Sequence, residues 1–205
     1  LRARRPDGSQ TTYDYDASGR RTGEEDGDVS RTFDWDPRGF LGRVTTTGSW
    51  GSSVHELGVD GLGELARVDG WEVMWDESAG GGTVAQLGEF PIVDVGFALG
   101  AGGPGGGWLM PERPGRDARA GLWDAGAVVR PAGSDGSDGS DGSDGVGLSS
   151  TGALSVDGLT WLGARVYDRG TRGFLSRDPL EATAGAGWAG NPYSWAGNNP
   201  VGMSD

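Results

Sequence analysis

The sequence Tyr-Asp-Tyr-Asp-Ala-Ser-Gly-Arg at residues 13–20 decides the fold, and it returns as Phe-Asp-Trp-Asp-Pro-Arg-Gly-Phe at residues 33–40. A weaker third copy occupies residues 59–65, and Trp75 and Asp76 begin a degenerate fourth. A short unit that recurs in this way is typical of repeat architectures, in which each unit is one supersecondary element that pairs with its neighbours.

Within each copy, aromatic residues alternate with aspartates. The alternation predicts a strand with Tyr13 and Tyr15 on one face and Asp14 and Asp16 on the other. The aspartate and the glycine three residues later predict a turn, because Asp accepts a hydrogen bond from the backbone two residues on and Gly tolerates a positive φ. A second strand follows, such as residues 41–47. Each copy therefore predicts one β-hairpin, and since a lone hairpin is only marginally stable, the hairpins should pair edge to edge.

The composition limits both the core and the chemistry. Glycine accounts for 42 of the 205 residues and only 35% are hydrophobic, so we expect part of a larger sheet rather than a deep core. The net charge of −13 argues against non-specific binding to nucleic acid or anionic membranes, and no apolar run is long enough to span a bilayer. Cysteine is absent, which excludes disulfides and Cys-ligated metals. The single histidine, His55, lies in a polar run without a Gly-x-Ser-x-Gly motif and is expected to be a surface residue.

The pattern decays between residues 79 and 147, which we interpret as a disordered Gly- and Asp-rich insertion with one short strand at residues 90–95. Residues 134–145 repeat Ser-Asp-Gly four times and predict a solvated linker. Acidic Asp-Gly repeats also occur in calcium-binding β-rolls, but those need a hydrophobic residue in each coil and this run has none. No metal site and no cofactor are therefore predicted.

Regular structure is expected again from residue 148. Residues 152–162 predict two strands around an Asp-Gly turn, and residues 165–168 predict a further strand. A single helical turn is expected at residues 179–182, with Asp178 as its N-cap. The predicted divisions are hairpin repeats at residues 1–78, the insertion at 79–147 and a C-terminal domain at 148–205.

Four motifs of the C-terminal domain occur in order: Ala-Arg-Val-Tyr-Asp at 164–168, Gly-Phe-Leu-Ser-Arg-Asp-Pro at 173–179, Asn-Pro-Tyr-Ser-Trp at 191–195 and Asn-Asn-Pro-Val at 198–201. Together they closely resemble the signature of the RHS repeat-associated core domain, over roughly residues 159–205. The hairpin copies at residues 13–65 resemble the YD repeats that accompany it. The resemblance implies an all-β fold in which YD-repeat hairpins form part of a spiral β-sheet shell.

The resemblance also implies a function. RHS proteins of this kind are secreted or cell-surface polymorphic toxins of interbacterial competition. Their shell encloses a variable C-terminal toxin domain, which some members release by intramolecular aspartyl self-cleavage near an Asp-Pro-x-Gly-Leu sequence. Asp205 matches the first residue of that sequence. The expected partner is the chain's own toxin domain, and no metabolic activity is expected.

The candidate catalytic residues are Asp178, Arg177 and Asp205. An acidic self-protease needs two carboxylates close enough to share a proton, and Asp178 and Asp205 match the family motif. The adjacent Arg177 would hold its aspartate ionised or stabilise an oxyanion. A structural role is the alternative: Asp178 caps a turn before Pro179, while Arg177 pairs with an acid on a neighbouring strand.

A second function belongs to a different class. An extracellular YD-repeat protein that binds cell-surface carbohydrate, without proteolysis, would use exposed tryptophan rings as stacking platforms. The tryptophans that motivate this hypothesis are Trp35, Trp161, Trp188 and Trp195.

Overall fold

The structure is a computed structural model, and the residues that it describes are 1–4, 8, 10–76, 83–88, 90–94, 99–102, 108–109, 125–128, 146–149, 153–178 and 191–194. These residues form strands and turns, and no helix lies among them. The chain divides into two compact units, residues 1–54 together with 165–205, and residues 55–164. The predicted all-β class is confirmed.

The strands in chain order are β1 (Arg2–Arg4), β2 (Gln10–Tyr15), β3 (Arg21–Asp26), β4 (Val29–Trp35), β5 (Leu41–Gly48), β6 (Gly51–Val59), β7 (Leu65–Val68), β8 (Trp71–Asp76), β9 (Thr83–Leu87), β10 (Phe90–Asp94), β11 (Leu99–Gly102), β12 (Trp108–Leu109), β13 (Ala125–Val128), β14 (Val146–Ser149), β15 (Leu154–Val156), β16 (Leu159–Leu162), β17 (Arg165–Asp168) and β18 (Gly173–Phe174).

Each unit is built from antiparallel neighbours. In the first unit, β1 to β5 pair in chain order, and β17 pairs with β18. In the second unit, the C-terminal part of β6 pairs with β7, and the pairing continues in chain order to β12. β13 to β16 pair consecutively in the same unit. The hairpin copies therefore do pair edge to edge within each unit, as the sequence predicts.

The aspartates of the repeat close the turns as predicted. Oδ1 of Asp16 accepts hydrogen bonds from the backbone N–H groups of Ser18 and Arg20, both at 2.9 Å. Asp36 makes the same two bonds at 2.9 Å, and Asp60 makes them at 2.8 and 3.0 Å. The glycine three residues after each aspartate has a positive φ, +78°, +95° and +93° in turn. The turn chemistry of the copies is thus the same.

Strict alternation is interrupted at the end of each copy. The register shifts lie between Asp14 and Tyr15, between Asp34 and Trp35, between Gly58 and Val59, and between Met74 and Trp75. Each shift is a β-bulge. It leaves one extra residue on the second, outgoing strand of the hairpin and reorients the residue opposite it on the first, incoming strand. In each pair of strands, the residue that directly follows the shift on the first strand has a partner on the second. These partners share one place in the repeat, which we name the bulge-partner position: Arg21, Leu41, Leu65 and Val84.

The bulge-partner position is buried in every copy. Arg21 is 3% exposed, and Leu41, Leu65 and Val84 are 2%, 0% and 1% exposed. The backbone carbonyl at this position also accepts an indole hydrogen bond. Nε1 of Trp35 donates to the carbonyl oxygen of Arg21 at 2.7 Å, and Nε1 of Trp75 donates to that of Leu65 at 2.8 Å. Each of these two tryptophans thereby forms a hydrogen bond to the backbone of the preceding copy.

Each unit has a core of buried apolar side chains, and β15 and β16 are buried on both of their faces. The buried apolar side chains of the first unit are Tyr13, Phe33, Leu41, Val44, Val166, Phe174 and Leu175. Those of the second are Leu57, Leu65, Val68, Val73, Val84, Leu87, Ala153, Leu154, Val156, Leu159 and Trp161. Each large apolar side chain that is fully buried contributes roughly 1.5–3 kcal/mol.

The later part of the chain matches the predicted elements in part. β15 and β16 are joined by Asp157 and Gly158, whose φ values of +52° and +76° give the expected tight hairpin. Strands β9 to β13 lie in the interval 79–147, where the sequence analysis expected one strand, the one seen as β10. The Ser-Asp-Gly run and the helical turn expected at 179–182 fall outside the described residues. Within the described part, no helix is long and apolar enough to cross a membrane.

Candidate functional site

The first hairpin, β2 and β3 with the turn between them, receives a later part of the chain. We name residues 165–178 and 191–194 the docked segment. The backbone N–H of Arg21 donates to the carbonyl oxygen of Leu175 at 2.8 Å. Inside the segment, the backbone N–H of Leu175 donates to the carbonyl oxygen of Val166 at 2.9 Å. The backbone N–H of Phe174 donates to the carbonyl oxygen of Tyr193, also at 2.9 Å. The described residues of three of the motifs that carry the family resemblance, 165–168, 173–178 and 191–194, therefore fold as one piece against the first hairpin.

The turn of the first hairpin is closely covered. The hydroxyl of Tyr193 donates to the carbonyl oxygen of Gly19 at 2.8 Å, and its ring stacks edge-on with Tyr15 at 5.9 Å between centroids. A Cβ added to Gly19 would lie 2.5 Å from Cδ of Arg177 and 2.8 Å from Oη of Tyr193. At Gly39, the equivalent residue of the second hairpin, the nearest such atom is Nη1 of Arg20 at 3.8 Å. The docked segment thus reaches the backbone of the first turn.

A buried ion pair lies at the centre of the contact. Nη1 of Arg21 is 2.6 Å from Oδ2 of Asp168, and the two side chains are 4% and 5% exposed. Asp168 also accepts the hydroxyl proton of Thr171 at 2.7 Å and the backbone N–H of Gly170 at 2.8 Å. Nη2 of Arg21 donates to the hydroxyl oxygen of Thr171 at 3.1 Å. The charges are thus compensated inside the protein, which a buried pair requires.

Arg21 also has neighbours on its own hairpin, among them Tyr15, whose ring centroid lies 6.0 Å from its guanidinium. Its guanidinium lies over the Tyr13 ring, 4.6 Å from the centroid, in cation–π geometry. Its Nη1 also lies 3.4 Å from Oε2 of Glu24, whose side chain is 12% exposed. One guanidinium therefore faces two carboxylates, those of Asp168 and Glu24, which come from different parts of the chain.

The environment moves the pKa values of the two carboxyls in opposite directions. Burial raises the pKa of Glu24, and the negative charge of Asp168 raises it further. Burial also disfavours the charged form of Asp168, but the Thr171 hydroxyl and the Arg21 guanidinium outweigh it and lower the pKa of that carboxyl. The guanidinium of Arg21 has a raised pKa, because Asp168 outweighs the effect of burial. The strong pair is Arg21 with Asp168, and Glu24 is the weaker third member.

The predicted catalytic residues are placed as follows. Asp178 is partly buried, and its Oδ2 lies 3.1 Å from Nη1 of Arg165. The guanidinium of Arg165 in turn lies 3.7 Å from the centroid of the Phe174 ring. Arg177 is exposed, with its aliphatic stem beside Gly19. Asp205 falls outside the described residues. The structure therefore brings Asp178 to Arg165, an arginine that the sequence analysis did not place at the site.

His55 joins a turn to a strand. Its Nδ1 lies 2.7 Å from Oδ2 of Asp69, which forms the β7–β8 turn with Gly70 and has a φ of +51°. Oδ1 of Asp69 accepts the backbone N–H of Glu56 at 2.8 Å. Burial opposes ionisation of Asp69, but the hydrogen bonds from His55 and Glu56 outweigh it and lower the pKa of Asp69. These contacts give His55 a structural role.

Two of the tryptophans proposed to bind carbohydrate can be placed. Trp161 is 3% exposed and belongs to the core of the second unit. Trp35 is partly buried, its indole N–H is bonded to Arg21, and the guanidinium of Arg20 lies over its ring at 5.7 Å. Trp188 and Trp195 fall outside the described residues. The rings that can be placed are thus engaged by the fold.

Comparison with known proteins adds no assignment, because the chain matches no protein-family model and no curated protein. Within the described residues, no three His, Asp or Glu side chains are grouped so that they could hold a metal ion.

The Arg21–Asp168 pair was not predicted from the sequence. A signal was available when the copies are aligned by their turns, because Gly19-Arg20-Arg21 then matches Gly39-Phe40-Leu41. Arg21 falls where the second copy has a leucine, and a charge at an apolar position of a repeat indicates a buried partner. The identity of that partner had no local signal, since Asp168 lies far along the chain.

Proposed function

We propose that the chain is a structural segment of the β-sheet shell of a secreted RHS-type polymorphic toxin, and that the shell encloses a toxin domain encoded further along the same polypeptide. The observation that carries this proposal is the docking of the family-like segment on the first YD-type hairpin through the buried Arg21–Asp168 pair. A repeat array needs such a contact where its C-terminal segment joins the wall.

The edge-to-edge pairing of the hairpins supports the proposal. A wall grows by adding hairpins, and within each unit one copy pairs with the next through a strand edge, β3 with β4 and β7 with β8, and through the indole of Trp35 or Trp75. Only 35% of the residues are hydrophobic and 42 of the 205 are glycine, which fits a chain that works as part of a longer sheet. A spiral of such hairpins is the shell that the family resemblance implies.

We propose in addition that Asp178 takes part in self-cleavage that frees the toxin domain. One carboxylate accepts a proton from water while the hydroxyl oxygen attacks the scissile carbonyl carbon, and a second, protonated carboxyl donates a proton to the departing nitrogen. We assign the proton-accepting role to Asp178, whose Oδ2 lies 3.1 Å from Nη1 of Arg165 within the docked segment. Asp205 is proposed as the second carboxyl.

The test uses a longer polypeptide that continues past Asp205 into the downstream sequence. We expect this polypeptide to separate into two fragments on denaturing gels, with the new N-terminus found by mass spectrometry shortly after Asp205. Asp178→Asn should leave it intact. Asp34→Asn is the matched control, because Asp34 is an exposed strand aspartate 3.9 Å from Arg43 and away from the docked segment.

Splitting of the Asp178→Asn polypeptide at the unmodified rate would reject the catalytic assignment and leave the structural proposal standing. The structural proposal would itself be rejected if the longer polypeptide left its downstream domain fully open to added protease, since a shell must exclude the protease from its contents.

A further inference from the structure

We propose that Arg21 is the residue that determines which of the hairpin copies binds the docked segment. This inference concerns the choice among similar hairpins and does not depend on self-cleavage. It starts from the bulge-partner position, which every copy of the repeat possesses and buries.

The copies present nearly the same backbone to an approaching segment. The first three copies have the same aspartate turn, and each of these three has its bulge next to the last residue of the incoming strand. Backbone hydrogen bonds alone therefore distinguish poorly between one hairpin and the next. Selection must come from a side chain that differs among the copies.

The bulge-partner side chain differs in charge among the copies, and in the first copy it contacts the docked segment. It is aliphatic at Leu41, Leu65 and Val84, and it is a guanidinium at Arg21. Asp168 is carried into the contact by β17 and becomes almost fully buried there. Over an aliphatic bulge-partner residue the same carboxylate would be buried without a cation, which is strongly unfavourable. The segment is therefore accepted by the first hairpin and rejected by hairpins with a leucine or valine at that place.

The other members of the contact strengthen this selection without creating it. Thr171 bonds to both Arg21 and Asp168, so the loop between β17 and β18 is held in the geometry that presents the carboxylate. Tyr193 and Arg177 approach Gly19, but they meet backbone and a glycine that the second hairpin also has at Gly39. The ion pair depends on a charged side chain that the first hairpin has at the bulge-partner position and that the other copies lack there.

The test is a double-mutant cycle on the full chain, with amide hydrogen exchange read residue by residue. The variants are Arg21→Leu, Asp168→Leu and the double variant. The reporter amides are those of Arg21 and Leu175, which bond to Leu175 and Val166. The amides of Phe33 and Val44, paired between β4 and β5, report on the sheet itself.

We call the amides of residue 21 and Leu175 the docking amides. We expect Arg21→Leu to lower their protection against hydrogen exchange by roughly a hundredfold or more, because removing one member of a buried pair leaves the other charge uncompensated. Protection of the β4–β5 amides should change much less. The double variant should regain global stability, since an apolar pair replaces the ions. Its docking amides should nevertheless stay less protected than in the natural chain, because the first hairpin then has a leucine at the bulge-partner position, as the second hairpin does.

Arg20→Leu is the matched control. Arg20 is the preceding residue and also pairs with an aspartate, Asp16, but both side chains are about a quarter exposed and the pair lies within one turn. It should leave the docking amides protected. The proposal is overturned if Arg21→Leu leaves their protection unchanged, or if the double variant protects them as fully as the natural chain. If Arg21→Leu does not fold, the double variant alone tests the proposal, through the same comparison of docking-amide protection with the natural chain.

Discussion

At the scale of single residues, the decisive feature is a buried arginine between two acids. The charged groups that surround Glu24 come from β3, β4 and the docked segment, and they are Arg21, Asp26, Arg31 and Asp168. Because Arg21 is engaged mainly by Asp168, Glu24 gains too little from it to offset its own burial. A carboxyl with a raised pKa in the folded state makes ionisation unfavourable for folding.

Glu24→Gln should therefore stabilise the protein at neutral pH. The raised pKa of Glu24 means that its contribution to stability is present in acid and is lost as the pH rises through the folded-state pKa. The amide removes that loss and can still accept from Arg21. Urea unfolding at several pH values measures the effect. The difference from the natural chain should vanish below about pH 4, where the glutamate is protonated in both states.

Glu25→Gln provides the control, because Glu25 is the next residue and its side chain is exposed. It should change stability little across the same pH range. A loss of stability in Glu24→Gln at neutral pH would show that Glu24 contributes favourably to the ion cluster, contrary to this account.

At the scale of elements, the hairpin is a repeated unit whose bulge-partner residue is charged in the first copy and aliphatic in the others. Its turn is closed by the aspartate, its end is set by the bulge, and its bulge-partner residue is buried. The first and second hairpins differ in what covers their turns. Tyr193 and Arg177 lie against Gly19, whereas Gly39 has more space around it.

Substituting alanine for each turn glycine separates backbone strain from docking. Both glycines have a positive φ, so Gly39→Ala should cost about 1–2 kcal/mol of stability from strain alone. Gly19→Ala carries the same strain and also displaces Arg177 and the Tyr193 hydroxyl. We expect it to cost more and to expose the docked segment to limited proteolysis, measured alongside urea unfolding. Equal costs and equal proteolysis would contradict the close contact at Gly19.

The first two hairpins also show which features of the fold could be predicted from the sequence and which could not. Period-two aromatics and the Asp-x-x-Gly spacing predicted strands and turns, because both are set by neighbours along the chain. The bulges were not predicted, since the extra residue on the outgoing strand is defined only when two strands are aligned. The partner of Asp178 was missed for a similar reason: Arg165 is brought to it by the folding of the docked segment.

At the scale of the whole molecule, charge opposes compaction. The chain carries a net charge of −13, and self-repulsion of that kind favours the unfolded state. The buried Arg21–Asp168 pair is shielded from solvent and is therefore screened little by salt. Added salt should reduce the repulsion more than it weakens this pair.

Sodium chloride should consequently raise the thermal unfolding midpoint at neutral pH. Raising the salt from about 0.01 M to about 1 M shortens the Debye length from roughly 30 Å to roughly 3 Å, which screens the repulsion. Near the isoelectric point of about 4.4, the same change in salt should have little effect, because the net charge is small. Calorimetry measures both. A midpoint that falls with salt at neutral pH would mean that exposed ion pairs outweigh the repulsion.

The sequence by itself determined the all-β class, the aspartate turns and the hairpin repeat, because each depends on residues only a few positions apart. Tertiary structure alone decided which hairpin holds the docked segment and which charges meet there. Arg21 and Asp168 are separated by most of the chain, and a buried ion pair forms only where folding brings its two members within contact distance.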